Sequence, residues 1–293
     1  MNPTIQQPGK HRGKLRQLDS ADHSRDSAGL TYVYPVVSRR AGGVSVGINL
    51  NPNNACNWRC IYCQVPNLTR GAAPPIDLGL LETELRTMLH ELLQGDFMEA
   101  KVAEADRRIE DVAFSGNGEP TSAREFVQAV DLVMRVMEEF KLLGKIKLRL
   151  ITNGSLLDRA EVRQGIARLS QGNGEVWFKL DAGTTPGIAR INGVELDPLG
   201  VVRRLRDCGK LCATWVQTCC FALDGVAPNE EEIRAWLEIL AQAKESLAGV
   251  HLYGLARPSL QAEAQRLTRL PSAWLDGLAQ RVRELGLTAC VNP

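Results

Sequence analysis

The segment Val44-Ser45-Val46-Gly47-Ile48-Asn49-Leu50 is followed, after Asn51-Pro52-Asn53-Asn54-Ala55, by Cys56-Asn57-Trp58-Arg59-Cys60-Ile61-Tyr62-Cys63. The first stretch is a short apolar run that reads as a buried strand. The second places three cysteines in one loop at Cx3Cx2C spacing. Three thiolates so spaced can bind three irons of a cubane cluster and leave the fourth iron without a protein ligand. Structural iron–sulfur sites close every position with cysteine, whereas catalytic metal sites keep one open. An open iron invites a substrate or cosubstrate. Tyr62, just before the third cysteine, can set its ring and backbone against a nucleobase beside such a cluster. A zinc loop is the alternative reading, but zinc sites pair one CxxC with a second CxxC or a His pair, and none follows.

Composition agrees with an intracellular metal enzyme. With 293 residues, 44% of them hydrophobic, the chain can bury one large core of α/β-barrel size. A net charge of +1 gives no global basic field, so tight nonspecific binding to nucleic acid is not indicated, although a local basic site is open. No secretory leader or apolar run of spanning length is read at the start. The eight cysteines therefore favour metal over disulfides and a reducing, cytoplasmic compartment away from membranes.

Residues 1–31 read as a polar, partly disordered arm. Its basic run, Lys10, Arg12, Lys14 and Arg16, is either a solvated face or a contact for an anionic partner. From Tyr32 to residue 293 one domain follows, in which strands alternate with amphipathic helices. The strands are 44–50, 111–115, 147–152, 176–180, 213–223 and 250–255. The helices are 78–93, 126–143, 157–169, 198–208, 230–247 and 273–285. Repeated β–α units imply a parallel sheet with right-handed crossovers. Eight would close a barrel, so six predict an α/β fold of the partial (β/α)6, TIM-like type. Strands buried on both faces are expected to read as apolar runs.

Ligands of such sheets bind at the carboxyl ends of the strands, and polar residues recur there. After the second of these strands comes Gly116-Asn117-Gly118-Glu119-Pro120, where glycines admit backbone close to a ligand and Glu119 offers a carboxylate to a cation. After the third, Asn153 either bonds a ribose or carboxylate or simply starts a turn. Lys179 and Asp181 close the fourth; they are either a structural ion pair or ligand contacts, since charges are rarely buried in a strand without partners. Gln217 on the fifth either lines a cavity or is a satisfied core amide. Arg257, after the sixth, suits an anionic substrate group or a surface carboxylate. Cys219 and Cys220 are adjacent on a strand and face opposite sides, which is poor geometry for a second cluster. The remaining cysteines read as small buried hydrophobes, and the four histidines form no metal pattern.

The cysteine loop with Tyr62 resembles that of the radical S-adenosylmethionine (SAM) enzymes. The likeness runs from about Tyr34 to Pro258. It implies a radical SAM core with a [4Fe–4S] cluster on Cys56, Cys60 and Cys63, and SAM as cosubstrate. The family's chemistry is reductive cleavage of SAM to a 5′-deoxyadenosyl radical that abstracts hydrogen from substrate. Gly116 to Pro120 is a variant of the family's Gly-Gly-Glu-Pro loop, which holds the methionine ammonium. Asn153 is implied near SAM, Lys179 at its carboxylate, and Asp181 at the ribose or substrate. In glycyl-radical activating enzymes a related Asp/Lys pair occurs in the opposite order. An electron donor such as flavodoxin or ferredoxin is the implied partner.

The run Ser45 to Asn53 is similar to a bacterial group classed with wyosine-type tRNA-modifying enzymes. Unlike the archaeal wyosine enzyme, however, this chain has no cysteine before Cys56. Three substrate classes are therefore expected: a small molecule or nucleoside; tRNA, recruited by a basic patch; or a partner protein activated through an apolar rim.

Overall fold

The structure, a computed structural model, describes residues 29–38 and 42–293. Most of the polar arm, with its basic run from Lys10 to Arg16, lies outside the described residues, as do Arg39 and Arg40.

Short β-branched runs form the strands and amphipathic segments the helices. The strands are β1 (Val33–Ser38), β2 (Gly43–Ile48), β3 (Ala55–Cys56), β4 (Thr69–Arg70), β5 (Ile109–Phe114), β6 (Lys147–Thr152), β7 (Gly174–Lys179), β8 (Ala213–Leu223), β9 (Gly249–Gly254), β10 (Leu267–Arg269) and β11 (Ala289–Asn292). The α-helices are α1 (Leu78–Leu93), α2 (Phe97–Lys101), α3 (Phe126–Glu139), α4 (Ala160–Ser170), α5 (Thr185–Asn192), α6 (Pro198–Leu211), α7 (Glu230–Ala243) and α8 (Ser272–Glu284). The main sheet runs β1-β2-β5-β6-β7-β8-β9-β11, with β10 antiparallel to the end of β8. From β2 to β11 every neighbouring pair is parallel. The result is a curled half-barrel.

The six expected β–α units are present, and a strand is added at each edge. β1 pairs antiparallel with β2; Pro35, which cannot donate to a ladder, is tolerated because this is an edge strand. β11 joins β9 beyond the last helix. The crossover from β7 to β8 holds two helices, α5 and α6, where one was expected. The helix expected to reach residue 143 ends at Glu139, followed by left-handed Lys141 and Gly144.

One large core packs the helices on the sheet. It includes Val46, Ile48, Phe114, Leu148, Leu150, Val176 and Phe178 of the strands with Leu85, Phe126, Val133, Ile166, Leu205, Leu240 and Val282 of the helices. Phe114 and Phe126 meet edge to face at 5.9 Å. Contrary to the expectation of wholly apolar strands, β6 and β9 alternate: Leu148, Leu150, Val250 and Leu252 are buried, while Arg149, Ile151, His251 and Tyr253 are only half-buried. The reason is that an open half-barrel keeps a cavity on its other face rather than a second apolar layer. Among the described residues, no helix is long and apolar enough to cross a membrane.

β1 is pinned at its start by Glu84, a buried carboxylate on the packed face of α1. It accepts the backbone N–H groups of Thr31, Tyr32 and Val33 at 2.8, 2.7 and 3.2 Å. Replacing Glu84 with Ala strands the two buried N–H groups, at about 1–3 kcal/mol each. A loss of roughly 2–6 kcal/mol is expected in urea unfolding of Glu84→Ala, and an unchanged midpoint would show that the anchor is dispensable.

Candidate active site

The carboxyl ends of the parallel strands surround a cavity of about 300 Å³. The loop after β2 carries the three cysteines over it, and Cys56, Cys60 and Cys63 all line it. This loop has little regular structure of its own. Instead β3 and β4 pair briefly within it, and polar side chains fix its path. Asn51 donates to the Ala55 carbonyl at 3.0 Å, and Asn49 Oδ1 accepts the N–H groups of Asn51 and Asn117, both at 3.0 Å. On the far side Ser259 Oγ donates to the Ile61 carbonyl at 2.7 Å, and the Leu260 N–H to that of Cys63 at 2.9 Å.

The Gly116–Glu119 turn after β5 lies directly against this loop. A side chain on Gly118 would come within 2.0 Å of the Ala55 carbonyl, and one on Gly116 (φ +143°) within 2.4 Å of Asn49 Oδ1. Both glycines are therefore demanded by close approach. Glu119 is buried. Its Oε1 accepts from the Thr121 N–H (3.1 Å), Thr121 Oγ1 (2.6 Å) and Thr152 Oγ1 (2.6 Å), and its Oε2 from the Asn153 N–H (2.7 Å). Burial raises the pKa of this carboxyl, against the opposing effect of those donors. The carboxylate thus binds the ends of β5 and β6 together. Asn153 in turn donates to Asn57 Oδ1 at 2.8 Å, and Asn57 to Ser155 Oγ at 2.7 Å.

Lys179 and Asp181 do not form an ion pair with each other. Lys179 Nζ donates to Tyr253 Oη at 2.9 Å and stands 4.9 Å from the centre of the Tyr62 ring. Burial works against its ammonium, but the oxygens of Tyr253 and Asp181 outweigh it and hold its pKa above the usual value. Asp181 accepts from Tyr62 Oη at 2.5 Å and Asn192 Nδ2 at 2.8 Å on one oxygen, and from the Cys219 N–H at 3.0 Å on the other. Asn192 also donates to Cys60 Sγ at 3.3 Å, and the Trp58 N–H to Cys56 Sγ at 3.4 Å.

Of the residues expected at the site, Cys56, Cys60, Tyr62, Cys63, Gly116, Asn117, Gly118, Glu119, Asn153, Lys179, Gln217 and Arg257 line this one cavity. Pro120 and Asp181 do not; they stand behind it. Pro120 opens a short 3-10 turn, and Asp181 is taken up by Tyr62, Asn192 and the Cys219 N–H. Sequence reasoning missed Asn192, Asn57 and Tyr34, whose hydroxyl meets Ser115 Oγ at 2.7 Å. No local motif marks Asn192, which reaches Cys60 from 132 positions away. Cys219 lines the cavity while Cys220 joins the main core, as strand alternation requires.

The donor set fits a cubane. Three thiols line one cavity, and N–H groups point at two of the sulfurs. Burial pushes the Cys56 and Cys60 thiols up to about 12, so iron must displace their protons on binding. Among the described residues no three His, Cys, Asp or Glu side chains converge on a single-ion site. A cubane asks for no such convergence, because each thiolate holds a different iron.

Residues 50–184 match the model of the radical SAM superfamily. Among curated proteins, a GTPase Obg of Brachyspira hyodysenteriae is 30% identical over 135 residues, which span 45% of this chain and 17% of that protein. Among solved structures, a radical SAM methyltransferase from Sphaerobacter thermophilus superposes with a TM-score of 0.58 at 15% identity, covering 89% of this chain and 68% of that one. Streptococcus suis SuiB, solved bound to SAM, gives 0.52 at 12% identity, covering 87% and 49%. This chain therefore spans about half the length of SuiB. At such identities the likeness is one of fold. Residues 50–184 are thus similar to the radical SAM superfamily, a family that implies a [4Fe–4S] cluster and SAM, and the chain shares the fold of these solved structures.

Proposed function

We propose that the chain cleaves SAM reductively and directs the resulting radical at a substrate held in the same cavity. The observation that carries this reading is that one cavity is lined both by the three cysteines and by the Gly116–Glu119 turn, Asn153 and Lys179. Cys56, Cys60 and Cys63 would hold three irons of the cluster. Bound there, the cluster supplies the single electron that splits SAM into methionine and a 5′-deoxyadenosyl radical.

The chain's own residues do the rest. The Gly116–Gly118 backbone accepts the methionine ammonium, with Glu119 fixing the turn from behind. Lys179 meets the SAM carboxylate, and Asn153 orients the ligand at the end of β6. Tyr62 forms a flat wall whose hydroxyl Asp181 holds in place. Gln217, buried on β8, and Arg257, beyond β9, present an amide and a guanidinium to the substrate. The substrate is a small molecule or nucleoside carrying an anionic group that Arg257 can bind bidentately. A low-potential donor of the flavodoxin or ferredoxin kind would supply the electron.

Anaerobic reconstitution followed by assay of 5′-deoxyadenosine tests this directly. A panel of small molecules, nucleosides, tRNA and candidate protein substrates separates the substrate classes, including the wyosine-type reading. Cys60→Ala is expected to abolish both the visible cluster absorbance and 5′-deoxyadenosine formation; continued formation would overturn the mechanism. Lys179→Met is expected to keep the absorbance but to weaken SAM binding about 10- to 100-fold in equilibrium dialysis, the loss of one hydrogen bond to a charged group at about 1.5–3 kcal/mol. Unchanged SAM affinity would remove Lys179 from that role.

A further inference from the structure

We propose that Asn192 sets the reduction potential of the cluster by donating an N–H···S hydrogen bond to Cys60, a role that rests on the reading of the cysteine loop as a cluster site.

Asn192 is the last residue of α5, and its side chain is almost wholly buried. Its amide nitrogen carries two hydrogens. One goes to Asp181 Oδ2 at 2.8 Å and the other to Cys60 Sγ at 3.3 Å. The partner on the Asp181 side fixes which way the amide faces. Turned over, it would set a carbonyl oxygen against a carboxylate oxygen, so the NH2 group must face Asp181 and hence Cys60. Asp181 is itself held by the Tyr62 hydroxyl and the Cys219 N–H.

The backbone reinforces this placement. The Asn192 carbonyl accepts the N–H of Arg59 at 3.0 Å, and the Ile191 carbonyl that of Ile61 at 2.9 Å. These are the two N–H groups on either side of Cys60. Carbonyls at a helix end lack partners within the helix, and here the loop supplies them. The amide is thus carried on the element that grips the backbone of Cys60, and its distance to the sulfur is set from both sides.

Hydrogen bonds to ligand sulfurs are among the determinants of iron–sulfur potentials, and groups beyond the ligands tune a metal site measurably. Reduction adds negative charge that spreads onto the thiolates. A donor aimed at Cys60 Sγ therefore favours the reduced state and raises the potential. Asn192 is a positioning and tuning residue, in contact with a cluster ligand rather than with substrate.

The test is a spectroelectrochemical titration of the reconstituted full chain, without SAM or substrate. Asn192→Leu, and Asn192→Ala as a smaller alternative, are expected to shift the one-electron reduction equilibrium about tenfold against reduction, about 59 mV lower for a one-electron couple. The control is Arg70→Lys, which removes the guanidinium's brace but keeps the positive charge. Arg70 donates to the carbonyls of Asn57 and Gly193, so it braces the same junction without reaching a sulfur. Its potential is expected to stay at the wild-type value. An unshifted potential in the Asn192 variants, or an equal shift in Arg70→Lys, would overturn the proposal. So would Asn192 variants that keep native circular dichroism yet assemble no cluster, since Asn192 would then serve assembly instead. Failure of the wild-type chain to form a [4Fe–4S] cluster would instead overturn the reading on which the proposal rests.

Discussion

One carboxylate, Asp181, joins three pieces of the chain that the sequence keeps far apart. Its oxygens accept from Tyr62 of the cysteine loop, Asn192 at the end of α5 and the backbone of Cys219 on β8. A buried carboxylate is stable only when its oxygens are met by donors, and two of the three donors here, Tyr62 and Cys219, line the cavity. Placing Asp181 just beyond β7 therefore fixes the tilt of the Tyr62 ring, the reach of Asn192 and the path of β8 together. Glu119 acts likewise at the neighbouring strand ends, holding β5 to β6 through Thr121, Thr152 and Asn153.

Between these two carboxylates the half-barrel stays open. A closed barrel fills its interior with layers of apolar side chains. Here the inner face deeper in the barrel carries ions instead. Arg149 pairs with Asp111 and with Glu175, Lys147 also meets Glu175 at 2.8 Å, and Ser45 donates to Asp111. Arg149 lies 4.7 Å from the Trp177 ring, and His251 packs against both Trp177 and Trp215. Opposite charges thus match one another across the floor. Nearer the cysteines, Lys179 donates to Tyr253 and stands over the Tyr62 ring.

The features of this design that were legible in the sequence are the local ones. The cysteine loop, the Gly116–Pro120 turn and the positions of Lys179 and Arg257 at strand ends and of Gln217 within a strand depend on residues close in the chain. The alternation of apolar runs was enough to give six β–α units. β1 was obscured by Pro35, which argues against a strand unless the strand is at an edge, and β11 by its four-residue length. α5 was hidden because eight residues with one buried face carry little periodic signal. The spacing of Lys179 and Asp181 left open a mutual ion pair or ligand contacts, and the fold gives each a tyrosine partner. Long-range hydrogen bonds such as that of Asn192 leave no trace in spacing, because nothing near Asn192 in the chain says what α5 will dock against.

The junction between α5 and the cysteine loop also bears on the order of assembly. In a zinc finger the metal creates the fold that binds it. Here Arg59, Ile61 and Cys63 already have their backbone groups bonded to α5, Ser259 and Leu260, all protein partners. The cost in chain entropy of shaping the loop is met by the folding of the barrel. The thiols of Cys56, Cys60 and Cys63 therefore stand where the folded barrel holds their backbone.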